Sequence, residues 1–199
     1  MAELIVDNPY TLEECVRFPY ADEDTINRTL DAAQAAARRH AKTSIESRIA
    51  LCERAIAEME AAKESIAADI TNMMGKPLRQ ARNEVAGMAK RARHMCSIAQ
   101  DSLADIVLPE LPGFQRRIVR TPLGVVFSLP AWNYPLLTAV NVVIPAILAG
   151  NSVVLKHSPR SPLCGAHLAN AFVRAGAPSE LVQAIMMDYA ASEATAADP

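Results

Sequence analysis

The sequence has little glycine, seven residues in 199, and nowhere do these fall as Gly-x-Gly-x-x-Gly or as a P-loop. A glycine-cradled pyrophosphate is therefore not supported. Aromatic residues are scarce at 5%, with a single tryptophan, Trp132. Neither sign of charge is in excess: 20 Lys+Arg against 22 Asp+Glu leave a net charge of −2. That removes the basic surplus on which sequence-independent nucleic-acid binding depends, so no nucleic-acid partner is expected. The four cysteines, Cys15, Cys52, Cys96 and Cys164, show no CxxC spacing. The opening Met-Ala-Glu-Leu-Ile-Val-Asp-Asn lacks the basic and apolar regions of a secretory signal. Together these features predict reduced thiols in a cytoplasmic protein. His94-Met95-Cys96 offers two metal-ligating side chains, but no second pair stands at metal-site spacing, so no metal is expected.

Hydrophobic residues make up 51% and charged residues 21%, enough apolar material for the core of one domain or two small ones. From Thr121 to Leu155 there is no charged residue at all, a run long enough to cross a bilayer. Pro130, Asn133, Pro135, Asn141, Pro145 and Gly150-Asn151 cut it into pieces of globular length. It reads as two buried parallel strands around a buried helix rather than as a membrane span.

Up to about Leu108 the pattern is helical. Asp22-Glu23-Asp24 places acids at a helix start, with Ile26, Leu30, Ala33 and Ala37 following at helical spacing. Thr43-Ser44-Ile45-Glu46 reads as a capping box before the stripe Ile45, Ile49, Cys52, Ile56 and Met59. A third helix with Ile66, Ile70 and Met73 stops at Gly75-Lys76-Pro77. A longer one turns Leu78, Val85, Met88, Met95 and Leu103 inward and Arg79, Arg82, Lys90, Arg91 and Arg93 outward. No aromatics interleave these basic residues, so they read as a solvated helix face. After the Pro109, Pro112, Gly113 loop, Phe114–Arg120 reads as an exposed strand. Strand and helix then alternate: Val125–Leu129, Pro135–Ala149, Ser152–Lys156, Pro162–Ala175 and Leu181–Met186. That alternation predicts βαβ crossovers and a parallel sheet covered on both faces. The last dozen residues show no closing strand or cap. The expected division is a helical lead-in over 1–112 and the strand-helix part over 113–199.

Ligands of such sheets bind beyond the carboxyl ends of the strands. Two segments occupy that edge, Pro130-Ala131-Trp132-Asn133-Tyr134-Pro135 and Lys156-His157-Ser158-Pro159. The uncharged NH₂ of Asn133 suits an oxyanion that develops only in a transition state. On the residues alone, capping the helix before Pro135 is the commoner role for such an asparagine. Lys156 can contact a ribose or phosphate, or simply be solvated.

These same residues carry a resemblance. Pro122-Leu123-Gly124-Val125-Val126, then Trp132-Asn133-Tyr134-Pro135, then Ala149-Gly150-Asn151-Ser152-Val153-Val154-Leu155-Lys156, and finally Ala175-Gly176-Ala177-Pro178, resemble the aldehyde dehydrogenase superfamily in order and spacing. Asn8-Pro9, Arg48 and Gly75-Lys76-Pro77-Leu78 with Glu84 fit its amino-terminal pattern. The resemblance implies an α/β fold in which amino-terminal helices precede the first half of a Rossmann-like parallel sheet. It also implies oxidation of a small-molecule aldehyde to an acid with NAD or NADP: a cysteine thiolate attacks, hydride passes to the nicotinamide, and a glutamate activates water. By the same resemblance Asn133 is the oxyanion-stabilising catalytic amide. Leu129, Pro130 and Trp132 lie along the cofactor's ribose and nicotinamide, and Lys156 meets the adenosine ribose. Strand Gln115–Thr121 resembles the segment that pairs subunits, implying a homo-oligomer.

Departures from the family pattern sharpen the expectation. The usual proline before the tryptophan is Ala131, with Pro130 one place earlier. Pro159 stands where many members carry a ribose-binding glutamate, so no carboxylate repels a 2′-phosphate and NADP is easier to accept. Lys156-His157 before Ser158-Pro159 resembles a semialdehyde-oxidising branch. The family's nucleophilic cysteine and glutamate base are expected beyond Pro199, which makes this an amino-terminal portion, inactive by itself. The alternative is a non-catalytic binding or subunit-association fragment. A substitute nucleophile at Cys164, with His167 on the same helix face, is disfavoured because buried cysteine is ordinarily inert.

Overall fold

The computed structural model describes residues 3–198. The chain opens with a hairpin, β1 (Glu3–Asp7) antiparallel to β2 (Glu14–Pro19). Leu4 and Val6 point into the core while Glu3, Ile5 and Asp7 face out, the two-residue period of a half-buried strand. Asn8 makes the turn, its Oδ1 accepting from the amides of Tyr10 and Thr11. This hairpin lies within the stretch read from sequence as a helical lead-in.

Four helices follow: α1 (Glu23–His40), α2 (Ile45–Ala61), α3 (Lys63–Met74) and α4 (Leu78–Leu103). Asp22 caps α1, accepting from Thr25 N at 2.8 Å. The expected capping box is shifted by one residue. Ser44, not Thr43, is the N-cap of α2 and accepts from Ser47 N, so Glu46 falls one place short of the position from which it would reach back. Gly75 ends α3 in the left-handed region, at φ +75°. On α4, Val85 and Met88 are buried and Met95 and Leu103 partly so, whereas Leu78 is exposed. The basic face is solvated, with Arg82 paired to Glu64 of α3 and Arg93 to Glu53 and Glu60 of α2.

A two-residue ribbon joins β3 (Ile106–Val107) to β4 (Arg117–Ile118), a shorter strand than Phe114–Arg120 promised. The sheet of the second part then forms from β5 (Val125–Ser128), α5 (Pro135–Ala149), β6 (Ser152–Leu155), α6 (Pro162–Arg174) and β7 (Val182–Ala184). These bounds fall within two residues of the sequence expectation. The strands are parallel in the order β5-β6-β7. Successive crossovers of one hand put α5 and α6 on the same face. Ser152 Oγ donates to the Ala33 carbonyl of α1 at 2.8 Å, so α1 covers the opposite face and β6 is buried throughout. Beyond the first cover, α4 packs on α5 and α2 on α6. The last described element is α7 (Tyr189–Ala197), capped by Asp188, where the sequence suggested no closing strand or cap. Among the described residues no helix is long and apolar enough to cross a membrane; α5, apolar on almost every side, has only 15 residues.

Candidate functional site

The carboxyl ends of β5 and β6 run on together. Lys156 N donates to Ser128 O at 3.0 Å and Ser158 N to Pro130 O at 3.1 Å, extending the parallel ladder into the two loops. The loop 129–134 therefore lies beside the loop 156–161. Pro130 is buried between them, while Leu129 and Trp132 are exposed, each by about half. Trp132 borders a cleft of about 430 Å³ that it shares with Pro9, Met74 and Arg160.

Asn133 is not the helix cap; Tyr134 is, and it makes no side-chain cap bond. The Asn133 side-chain oxygen accepts from Tyr134 N at 3.1 Å. Its Nδ2 has no hydrogen-bond partner among the described residues, and the residue is exposed. The arrangement offers a donor without a permanent charge, on a short loop held at both ends by proline.

The cap of α5 comes instead from α4. Glu84 is buried, and its Oε1 accepts from Leu136 N at 2.9 Å and Leu137 N at 3.4 Å. A carboxylate there also meets the positive end of the helix dipole. The other oxygen, Oε2, is paired with Lys76 Nζ. That ammonium donates to the Asn133 carbonyl at 2.8 Å and lies 4.1 Å from the Tyr134 ring centroid. Sequence reasoning quoted Lys76 and Glu84 but gave them no role. One signal was available: Glu84 sits in the apolar stripe Ala81, Val85, Met88 of α4, where an acid needs a buried partner.

On the second loop, Lys156 is buried, and its Nζ lies 5.1 Å from the Tyr189 ring centroid. Burial lowers its pKa, and the Asp188 carboxylate works the other way. Pro159 is half-buried. His157 is enclosed; its Nε2 lies 3.2 Å from Pro135 O, and burial pushes its pKa down to about 4. As the neutral tautomer donating from Nε2, it leaves Nδ1 without a partner, facing Gly165, where a Cβ would stand 2.8 Å away.

Cys52, Cys96 and Cys164 are buried, and Cys15 donates to Val6 O at 3.1 Å. Burial pushes the Cys164 thiol far up, and His167 is held by Asp69 at 2.7 Å rather than by Cys164. Among the described residues no three metal-ligating side chains converge.

Two exposed apolar side chains, a free amide donor and a cation follow one another across two loops that the sheet ladder locks together. The class is that of an α/β protein built on a parallel sheet. The chain belongs to the aldehyde dehydrogenase family, whose model matches residues 2–198.

It is 31% identical over 192 residues to the NADP(+) succinate-semialdehyde dehydrogenase of Deinococcus radiodurans, covering 96% of this chain and 40% of that protein. With a Mycobacterium tuberculosis protein of the same name it shares 32% identity over 194 residues, covering 96% and 42%. The crystal structure of succinate-semialdehyde dehydrogenase from Burkholderia pseudomallei superposes with a TM-score of 0.89 at 27% identity, covering 96% of this chain and 39% of that one. The chain thus spans about 40% of the length of the curated relatives it matches.

Proposed function

We propose that this chain supplies the NADP-binding and oxyanion-stabilising part of an aldehyde dehydrogenase acting on a semialdehyde. The free Nδ2 of Asn133, on the same sheet edge as Lys156, carries the reading. A nicotinamide held along Leu129 and Trp132 would supply the hydride acceptor that aldehyde oxidation needs. Asn133 donates a hydrogen bond to the oxygen that becomes negative when a nucleophile adds to the aldehyde. An uncharged donor favours that transition state without binding the ground state strongly. Leu129 and Trp132 give the cofactor an apolar bed. Lys156 donates to the adenosine ribose and attracts a 2′-phosphate, and Pro159 presents no carboxylate to repel one. The NADP(+) named for the relatives supports this preference.

The nucleophile is not among the four cysteines of this chain, so the lead-in over 1–112 and the strand-helix part over 113–199 work with residues from outside it. The exposed Val107, Phe114 and Ile118 on and beside the β3–β4 ribbon favour pairing with a second subunit, and the unpaired cysteines suit a cytoplasmic setting.

Because Trp132 is the only tryptophan, its fluorescence reports the site alone. Titration with NADP⁺ is expected to quench it at lower concentration than NAD⁺, and Lys156→Met is expected to weaken NADP⁺ about tenfold. Unchanged emission with either dinucleotide, or tighter binding of NAD⁺, overturns the reading. The chain alone is expected to oxidise no aldehyde; a purified NADP⁺-dependent rate would place a nucleophile within it.

A further inference from the structure

The Asn133 loop is held by side chains from far upstream rather than by its own sequence neighbours. Three successive attachments come from two residues. Lys76 Nζ binds the Asn133 carbonyl, the same ammonium lies over the Tyr134 ring, and Glu84 Oε1 takes the Leu136 and Leu137 amides. The side chains are 8% and 1% exposed. Burying two charges costs about as much as their attraction returns, so a buried ion pair is a poor device for stability alone. A well-packed apolar pair could fill the same space. It could not donate to a carbonyl and accept from two amides at once.

We propose that Lys76 and Glu84 are positioning residues for Asn133, fixing the loop between Pro130 and Pro135 so that its side-chain oxygen stays on the Tyr134 amide and its Nδ2 stays free. This rests on the aldehyde-oxidising reading for its purpose, but its test does not depend on cofactor or substrate. Glu84 closes the amino end of α5 and anchors Lys76, which in turn holds the Asn133 carbonyl. Loss of either lets the peptide between Asn133 and Tyr134 rotate, and with it the direction of the amide donor.

The test uses the whole chain, with Trp132 fluorescence and the Asn133 side-chain amide resonances, assigned by their disappearance in Asn133→Ala. Lys76→Met is expected to raise acrylamide quenching of Trp132 about twofold, as local opening would. It should also shift the Asn133 amide pair, leaving helical circular dichroism and the Asn27 side-chain resonances of α1 unchanged. Lys76→Arg, which keeps a buried donor and charge, is expected to restore most of both signals. The double variant Lys76→Met/Glu84→Gln leaves no unpaired buried charge and guards against simple unfolding; it should show the same displaced loop. Unshifted Asn133 resonances and unchanged quenching in the folded variants overturn the proposal. So does collapse of helix content in every variant, or failure of Lys76→Arg to restore the signals, since the pair would then be merely structural. A displaced loop in a chain that binds no NADP⁺ would leave the positioning intact and remove the functional reading alone.

Discussion

Gly150 is a residue whose backbone the sequence announces and whose surroundings it conceals. Gly150-Asn151 after an apolar helix reads as a helix end, and the structure has Gly150 in the left-handed region at φ +94°. What the sequence does not show is Arg48, about 100 positions earlier, packed against it. A Cβ on Gly150 would meet Arg48 Nη1 at 2.8 Å and Pro122 Cγ at 2.9 Å. Arg48 cannot easily move aside, because its guanidinium donates to Leu148 O, Ala41 O and Thr43 Oγ1. Gly113 has a similar φ of +80° with nothing within 4 Å of a Cβ. Left-handed backbone costs a side chain about 1–2 kcal/mol, so Gly113→Ala is expected to destabilise by about 1 kcal/mol. Gly150→Ala, with the added collision, should lose about 2–3 kcal/mol. Urea midpoints of the two variants measure the difference; equal losses would show that Arg48 yields freely. Lys76 and Glu84 were hidden for the same physical reason. The loop and helix groups they hold, Asn133 O and the Leu136 and Leu137 amides, lie more than 50 residues away, and residue type alone cannot tell a buried charge on an inward stripe from a solvated one.

Elements bounded by strong local chemistry were legible, and those bounded by weak signals were not. The run β5-α5-β6-α6-β7 could be placed because Pro135 and Pro162 start its helices and Gly150 ends one of them. The β1–β2 hairpin went unread because each strand offers only five or six residues of alternation, and the turn is made by Asn8 rather than a two-residue glycine turn. The closing helix α7 escaped because its alanine-rich segment has almost no amphipathic face to betray it; its start depends on Asp188 accepting from Ala191 N at 2.8 Å. The start of α2 gives the sharpest test of cap register. Ser44 Oγ accepts the Ser47 amide, so Ser44→Ala is expected to cost about 1 kcal/mol, within the usual range for a lost N-cap. Glu46 sits in the first turn without a bond to the cap amide among the described residues. Glu46→Ala should therefore lose only its dipole share, about 0.3–1 kcal/mol. Denaturation midpoints that rank the two the other way round would restore the capping box centred on Thr43.

At the scale of the whole molecule, stability should depend on pH through histidines buried where the two site loops and the helices meet. His157 ties the second loop to the first turn of α5 through Pro135 O, and His40 ties the end of α1 to Ile147 O. Burial lowers both pKa values, His157 from the ordinary 6.5 to about 4. The folded chain therefore keeps His157 neutral at pH values where the unfolded chain has already taken up a proton. Above pH 6.5 neither state binds that proton and the site is silent. Between about 6.5 and about 4 the unfolded state gains protons that the folded state refuses, so stability falls as pH falls; below about 4 the slope from His157 vanishes. The lowered carboxylates work at a lower range. Glu14 and Glu60 are held down chiefly by hydrogen bonds from Arg17 and Arg93, and Asp22 by those from Thr25. Their contribution is present above the unfolded carboxylate values and is lost only as pH drops below them. The interval from pH 7 to pH 5 thus isolates the histidines. Over it His157 alone should remove about 2 kcal/mol, with His40 adding in the same direction. His157→Gln keeps a donor that can reach Pro135 O without a titrating ring, and is expected to flatten most of that slope. Urea midpoints at pH 7, 6 and 5 for both chains decide the matter: a slope that survives the substitution unchanged would mean that the buried ring does not govern the acid response. A flattened slope would mean that the contact joining the second loop to the start of α5 is also where acid first loosens the fold.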